Sequence, residues 1–204
     1  MDFKKMIEEY ENYNIREDIF YKIGLVPVML SSPHTMKQVK EDGSIKLNEP
    51  YTKAINRYVS GKTNCYSLIK INDRGLDSNK DLIDEYKMKM LKEIEDNDIK
   101  LLIDIHGASS ERDFDIELGT INNLSADYST INELKEAFIL NGIDNISINE
   151  PFKGGGITRY IYGMTNIDVI QIEINRKYRD IDNIDNLKKV CDSLIYFIFQ
   201  YNNK

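Results

Sequence analysis

Histidine is scarce in this chain, with two residues in 204, so each of them is conspicuous. Cysteine is as scarce, and Cys65 and Cys191 stand far apart in sequence. That spacing excludes a disulfide framework and a cysteine-cluster metal site, and it points to a reduced, cytoplasmic protein. No apolar run approaches the roughly 18 residues that a membrane span needs. No cationic start followed by an apolar core precedes a cleavage-like site. Positive charge is not in excess either: 27 Lys and Arg face 34 Asp and Glu for a net charge of −7, with the signs interleaved. Neither nucleic acid nor an anionic membrane surface is therefore an expected partner.

What is present fits one soluble α/β domain spanning residues 1–204, long enough to bury a core without disulfides. The stretch Lys100 to Gly107 reads Lys-Leu-Leu-Ile-Asp-Ile-His-Gly. It predicts a buried strand whose carboxyl end carries His106, where an open α/β sheet places its chemistry. The other histidine, His34, also follows an apolar run, Ile23 to Ser31, through the turn Ser32-Pro33-His34-Thr35.

Periodicity supplies the remaining elements. Asp2 to Tyr21 reads as a short helix laid on the fold, and Lys37 to Asn48, with Asp42-Gly43, as a loop or small hairpin. Glu49-Pro50 opens a helix to about Ser60. Gly61-Lys62-Thr63 is not a phosphate loop, because Asn56 stands where the pattern needs its first glycine. Asn64 to Ile71 predicts a strand ending in the polar exit Asn72-Asp73-Arg74-Gly75. Asp81 to Asp96 predicts an amphipathic helix leading into Lys100 to Gly107, a strand–helix–strand unit with parallel neighbours.

Further along, Phe114 to Thr120 and Asn145 to Asn149 predict strands around a helix over Ser129 to Asn141. Glu150 to Arg159 holds three adjacent glycines and reads as a loop in which backbone approaches something closely. In Asp168 to Asn175, Gln171 and Glu173 share one strand face and Ile170, Ile172 and Ile174 the other. A terminal helix carries Ile184, Leu187, Cys191, Leu194, Ile195 and Ile198. The expected sheet is mixed, mostly parallel and flanked by helices.

A catalytic zinc site needs about three protein ligands and one open position. His34 and His106 supply two, and Glu49, Asp104 or Asp73 could supply the third. Asp104, on the same strand face as His106, best suits the role of acceptor for an imidazole N–H. Glu173 is the natural general base for a metal-activated water, against the alternative of a salt bridge to Arg176 or Lys177. Arg159, Arg74 and Arg112, near strand ends or the glycine loop, suit a substrate carboxylate or a developing oxyanion.

These residues resemble a known family, the N-formylglutamate amidohydrolases, whose fold is related to the zinc carboxypeptidases. The resemblance runs in order through Ser-Ser-Pro-His34, Ile-Asp104-Ile-His106-Gly, Asn-Glu-Pro-Phe-Lys-Gly154-Gly155-Gly156-Ile-Thr-Arg159 and Gln171-Ile-Glu173-Ile-Asn175-Arg176. It implies a zinc-exopeptidase (phosphorylase/hydrolase)-like fold and a Zn2+-dependent hydrolase that cleaves a C–N bond in a small N-acyl amino acid. It also implies His34 and His106 as zinc ligands, Glu173 as the catalytic carboxylate and Arg159 as a holder of the substrate carboxylate, with Gly155 and Asn175 in the matched segments facing substrate. Two departures stand beside the first histidine. Lys37 occupies the position at which carboxypeptidases carry a glutamate ligand, so the third ligand is assigned to Glu49, and Thr35 replaces the glycine common after the histidine.

Overall fold

A computed structural model describes residues 2–13, 17–39, 43–71, 77–80 and 83–203. Seven strands form one sheet: β1 (Ile19–Lys22), β2 (Val26–Ser32), β5 (Cys65–Lys70), β6 (Leu101–Ala108), β7 (Ile116–Gly119), β8 (Ile146–Ile148) and β9 (Asp168–Asn175). Their order is β1-β5-β2-β6-β9-β7-β8. The central β5, β2, β6 and β9 are mutually parallel, β1 is an antiparallel edge, and β7 and β8 run parallel to each other but antiparallel to β9. A separate hairpin pairs β3 (Gln38–Val39) with β4 (Ile45–Lys46). The expected mixed, mostly parallel α/β domain is the observed one.

Period-two patterning sorts the sheet's side chains onto two faces. Val28, Leu30, Ile103, Ile105, Ile170, Ile172 and Ile174 pack on one face beneath α1 (Phe3–Asn12), α2 (Thr52–Thr63), α4 (Tyr128–Leu140) and α6 (Ile184–Asn202). Met29, Leu68, Leu102 and Val169 face the other side, beneath Tyr86, Met90 and Ile94 of α3 (Glu85–Asp96) and Ile157 and Ile161 of α5 (Gly156–Met164). On this second face the strands change character toward their carboxyl ends. Leu102 and Val169 are apolar, Asp104 and Gln171 are polar, and His106 and Glu173 ionise. The helices that cover the apolar part leave that polar end for a site.

The fold departs from the sequence expectations in four places. Residues 19–21 leave the predicted N-terminal helix and, with Lys22, form β1, because Ile-Phe-Tyr-Lys can pair with the open edge of β5 and stack Tyr21 on Tyr66 at 6.5 Å. The predicted strand–helix–strand partners β5 and β6 are parallel but not adjacent, since β2 lies between them. Residues 156–164 are helical, so the glycine loop ends where α5 begins. Helix α2 starts at Thr52 rather than Glu49. Glu11 of α1 accepts the Tyr51 and Ala54 N–H groups at 2.9 and 3.3 Å in place of a local cap, which leaves the Glu49 side chain free to enter the site. Among the described residues no helix is long and apolar enough to cross a membrane.

Candidate metal centre and active site

Strand register builds the site. His106 on β6 lies opposite Glu173 on β9, which lies opposite Glu117 on β7. Three ionisable side chains thus form one row across adjacent strands. His34 arrives from β2 through Pro33, and the Glu49 N–H donates to the His34 carbonyl at 2.8 Å. That bond brings the entrance of α2 against the histidine turn.

The two imidazoles are almost fully buried and held in matching ways. His34 Nε2 lies 2.8 Å from Asp77 Oδ1, and His106 Nε2 lies 2.8 Å from Asp104 Oδ2. With each Nε2–H directed at a carboxylate, both Nδ1 atoms present lone pairs inward, and these sit 3.1 Å apart. Glu49 completes the cluster, with Oε1 2.9 Å from His34 Nδ1 and Oε2 3.4 Å from His106 Nδ1. One ligand atom from each of His34, Glu49 and His106 can be chosen so that all lie within 4.8 Å of one another.

Three electron-rich atoms so close repel unless a cation or a proton lies among them. Two nitrogens each about 2.0–2.1 Å from a tetrahedral zinc would be about 3.3 Å apart, close to the observed spacing. The donor set of two imidazoles and one carboxylate, with a position left open, fits a catalytic divalent metal. Electrostatics agree. Burial opposes the Glu49 charge, but His34 and His106 outweigh it and hold the carboxyl well below the ordinary range. Burial likewise opposes a charge on His106, yet Asp104 and Glu49 hold its proton affinity well above the usual value. The cluster attracts positive charge to its centre.

Behind these three side chains runs a buried relay. Ser31 Oγ donates to Asp104 Oδ1 at 2.7 Å and lies 2.8 Å from Tyr86 Oη, which donates to the Leu68 carbonyl at 2.9 Å. Asp104 thus lies against His106 Nε2, within reach for the acceptor role expected of it. Its counterpart on His34 is Asp77, which the sequence reading missed: it weighed Asp73 at the strand exit, and only the fold brings Asp77 to His34. The Asp77 carboxyl is buried, yet the hydrogen bond and charge of His34, with Lys46, hold it below the ordinary range. Carboxylates that orient metal-binding imidazoles typically govern affinity by about 10–100-fold. Asp77→Ala is expected to weaken zinc affinity by about that factor in a chelator-competition titration; an unchanged affinity would remove Asp77 from this role.

Glu173 is buried beside this cluster. Its Oε1 accepts from Gln171 Nε2 at 2.8 Å, and Gln171 Oε1 accepts from the Gly155 N–H at 2.6 Å. Burial raises its proton affinity, as suits a general base. The salt-bridge alternative does not form: Arg176 pairs with Asp180 and Lys177 with Asp115.

Gly107 and Arg179 close the floor. The Gly107 N–H donates to Glu49 Oε2 at 2.9 Å. The buried Arg179 guanidinium donates to the carbonyls of Ile174, Pro50 and Ala108 at 2.9, 2.7 and 2.9 Å. Burial lowers its pKa to about 10, so it remains charged at neutral pH. A Cβ on residue 107 would overlap Arg179. Gly107→Ala is expected to cost about 1–3 kcal/mol of stability, read as a lowered Tm; an unchanged Tm would contradict this packing.

The expected substrate-binding residues divide. Gly155 approaches Asn79, whose side chain would clash with any Cβ there, and its N–H is taken by Gln171. Asn175 donates to the Arg112 and Phe114 carbonyls at 3.1 and 2.9 Å and accepts from the Lys177 N–H at 3.1 Å. In both residues these polar groups are already engaged by the chain itself. Arg112 is exposed, its guanidinium 5.0 Å from the Phe152 ring centroid. Arg159 lies on the exposed side of α5, and Arg74, like Asp73, falls outside the described residues. A cation that the sequence reading overlooked stands closer: Lys46 Nζ is 3.4 Å from Glu49 Oε1 and 4.0 Å from Asp77 Oδ2.

Comparison with known proteins bears on the same residues. A model of the N-formylglutamate amidohydrolase family matches residues 83–178, nearly half of the 204-residue chain. The matched stretch holds β6, the glycine loop and β9, and His34, Glu49 and Asp77 precede it. The resemblance read from the sequence motifs is thus found again over this part of the chain. No curated protein sequence matches. Among solved structures, the chain resembles an N-formylglutamate amidohydrolase from Ralstonia eutropha JMP134 at 12% identity and TM-score 0.65, covering 91% of this chain and 98% of that one. It also resembles a bacteriophage poly-gamma-glutamate hydrolase at 13% identity and TM-score 0.60, covering 97% and 96%. A metallo-carboxypeptidase from Burkholderia cenocepacia shares the fold at 12% identity and TM-score 0.52, over 85% of this chain and 57% of that one.

Proposed function

We propose that this chain, which resembles the N-formylglutamate amidohydrolase family over residues 83–178, is a metal-dependent hydrolase. Its substrate is a small N-acyl amino acid such as N-formylglutamate, and the bond cleaved is the amide C–N bond. The observation that carries this reading is the convergence of His34, Glu49 and His106 with Glu173 placed opposite His106 in the sheet. Zn2+ suits a donor set of two histidines and one glutamate.

A divalent cation bound there would supply Lewis acidity toward water and an acyl carbonyl. The rest is the work of side chains. Glu173, oriented by Gln171, takes the proton of the attacking water and returns it to the departing nitrogen. Asp77 and Asp104 keep both imidazoles in the tautomer that points Nδ1 inward, and the Gly107 N–H fixes Glu49. Lys46 and the buried Arg179 set a positive potential for the developing oxyanion. Arg159 and Arg112, both exposed, are kept in this reading as candidates for the substrate carboxylate. The ligand is a small molecule, with neither nucleic acid nor membrane as partner, and the two free, buried cysteines accord with a reducing cytoplasm.

The test is a hydrolysis screen of zinc-reconstituted protein over N-formyl, N-acetyl and peptidyl amino acids. Release of free amino acid from the N-formyl or N-acetyl substrates is expected. Turnover confined to peptides would make the chain a small carboxypeptidase, and no turnover of any class would leave the reading without support.

A further inference from the structure

The β3–β4 hairpin is turned inside out. Ile45 on β4 and Leu47 just beyond it are exposed, while Lys46 between them points to the metal centre with its side chain only 24% exposed. A strand built for burial alone would turn its aliphatic residues inward. Register sets Lys46 opposite Gln38, whose buried side-chain amide donates to the Pro33 carbonyl at 2.9 Å. The hairpin is thereby anchored one residue before His34. Local patterns are broken in this way chiefly at functional sites.

Lys46 meets the site through charge rather than through hydrogen bonds. Its Nζ lies 3.4 Å from Glu49 Oε1 and 4.0 Å from Asp77 Oδ2, both beyond the roughly 2.7–3.2 Å of a hydrogen bond. Its field also reaches Glu173, where it opposes the rise in proton affinity that burial causes. The three N–H donors of the ammonium therefore have no close acceptor among the described residues.

Glu49 shows what changes when a divalent cation enters. Its Oε2 accepts from the Gly107 N–H at 2.9 Å, so Oε1, 2.9 Å from His34 Nδ1, is the oxygen left for a metal. Lys46 shares that oxygen. A zinc ion about 2.0–2.2 Å from Oε1 would lie no more than about 5.6 Å from Nζ, close enough for the two positive charges to repel. The loaded centre thus holds an ammonium whose main counter-charge has been taken over, and an anion is what it lacks. In an N-acyl amino acid whose carbonyl meets the metal, the α-carboxylate starts two atoms beyond the amide nitrogen, within reach of Nζ.

We propose that Lys46 is a specificity-determining residue: once a metal has taken Glu49 Oε1, its ammonium donates to a carboxylate on the amino-acid half of the substrate. The inference rests on the hydrolase reading for the identity of the substrate. A charge-assisted bond of this kind is roughly twice as strong as a neutral one, so it selects an anionic ligand. The field that Lys46 adds at the developing oxyanion needs no contact, which leaves its N–H donors for this second task. The metal and the substrate are thereby linked, because the same lysine competes with the first and holds the second.

The test titrates zinc-loaded protein calorimetrically with L-glutamate, measures zinc affinity by chelator competition, and assays turnover of N-formyl-L-glutamate separately. Lys46→Met and Lys46→Gln should each raise the Kd for L-glutamate about 10–100-fold. Lys46→Arg, which keeps a cationic donor, should stay within about fivefold of wild type. Both neutral variants should bind zinc at least as tightly as wild type, since a competing cation has gone. A merely structural lysine would instead lower Tm and zinc affinity together. The proposal is overturned if the neutral variants bind L-glutamate as wild type does, if Lys46→Arg loses as much as they do, or if wild type does not bind L-glutamate. Weaker zinc binding by both neutral variants would make Lys46 the partner of Asp77 Oδ2, which has no hydrogen bond, and would overturn it as well. Wild-type binding of L-glutamate without turnover of N-formyl-L-glutamate would defeat the hydrolase reading alone, since the Kd series would still decide the role of Lys46.

Discussion

Glu173→Gln is expected to leave the metal centre loaded and to lower kcat by about 10²–10⁴-fold. Glutamine matches glutamate in shape, and its oxygen can still accept from Gln171 Nε2, the contact now made at 2.8 Å. Packing at this buried position is therefore kept. Its other terminal atom becomes an amide nitrogen, which cannot take a proton from water. His34, Glu49 and His106 are untouched, so zinc content should equal that of wild type, as measured by elemental analysis beside steady-state kinetics. A variant that keeps activity within about tenfold would place the base elsewhere.

His106→Ala is expected to separate metal from protein. A structural zinc site supplies about 10–16 kcal/mol in total, so loss of one ligand among a few lowers affinity on the order of 10²–10³-fold. The substitution has a second consequence. Asp104, fully buried, would lose the imidazole that meets its Oδ2 and keep only Ser31 on Oδ1. Removing one member of a buried charge pair costs about 3–5 kcal/mol, so a Tm lowered by several degrees should accompany the metal loss. Pairing His106→Ala with Asp104→Asn should restore part of the Tm without restoring zinc. Full zinc occupancy in His106→Ala would exclude His106 as a ligand.

Much of this site was legible because it lies at strand ends, where local pattern changes character. The apolar run into His106, the run into Pro33-His34 and the alternation of Gln171 and Glu173 with isoleucines each announce a strand and the face that carries its chemistry. Glu49 was legible as the residue opening the next helix, although the helix begins later because Glu11 caps it from a distant segment. What escaped depends on non-local pairing. Glu117 joins the row of His106 and Glu173 only through the register of β7 against β9, Asp77 acquires meaning only through its meeting with His34, and Arg179 only through three carbonyls contributed by separate segments. The glycines were read as an approach to a ligand, because sequence shows that backbone can come close and not to what. At Gly155 the neighbour is Asn79. The edge strand β1 was hidden for a similar reason, since four residues have too short a period to compete with the helical pattern before them.

The measurement that bears most directly on the metal-centred account is a zinc titration of chelator-stripped protein, followed by its hydrolysis of N-formyl-L-glutamate. The account predicts no turnover in the stripped protein and a linear rise that breaks at one zinc per chain. Turnover that survives removal of the metal, or zinc bound at that stoichiometry equally well by a His34→Ala, His106→Ala double variant, would contradict it.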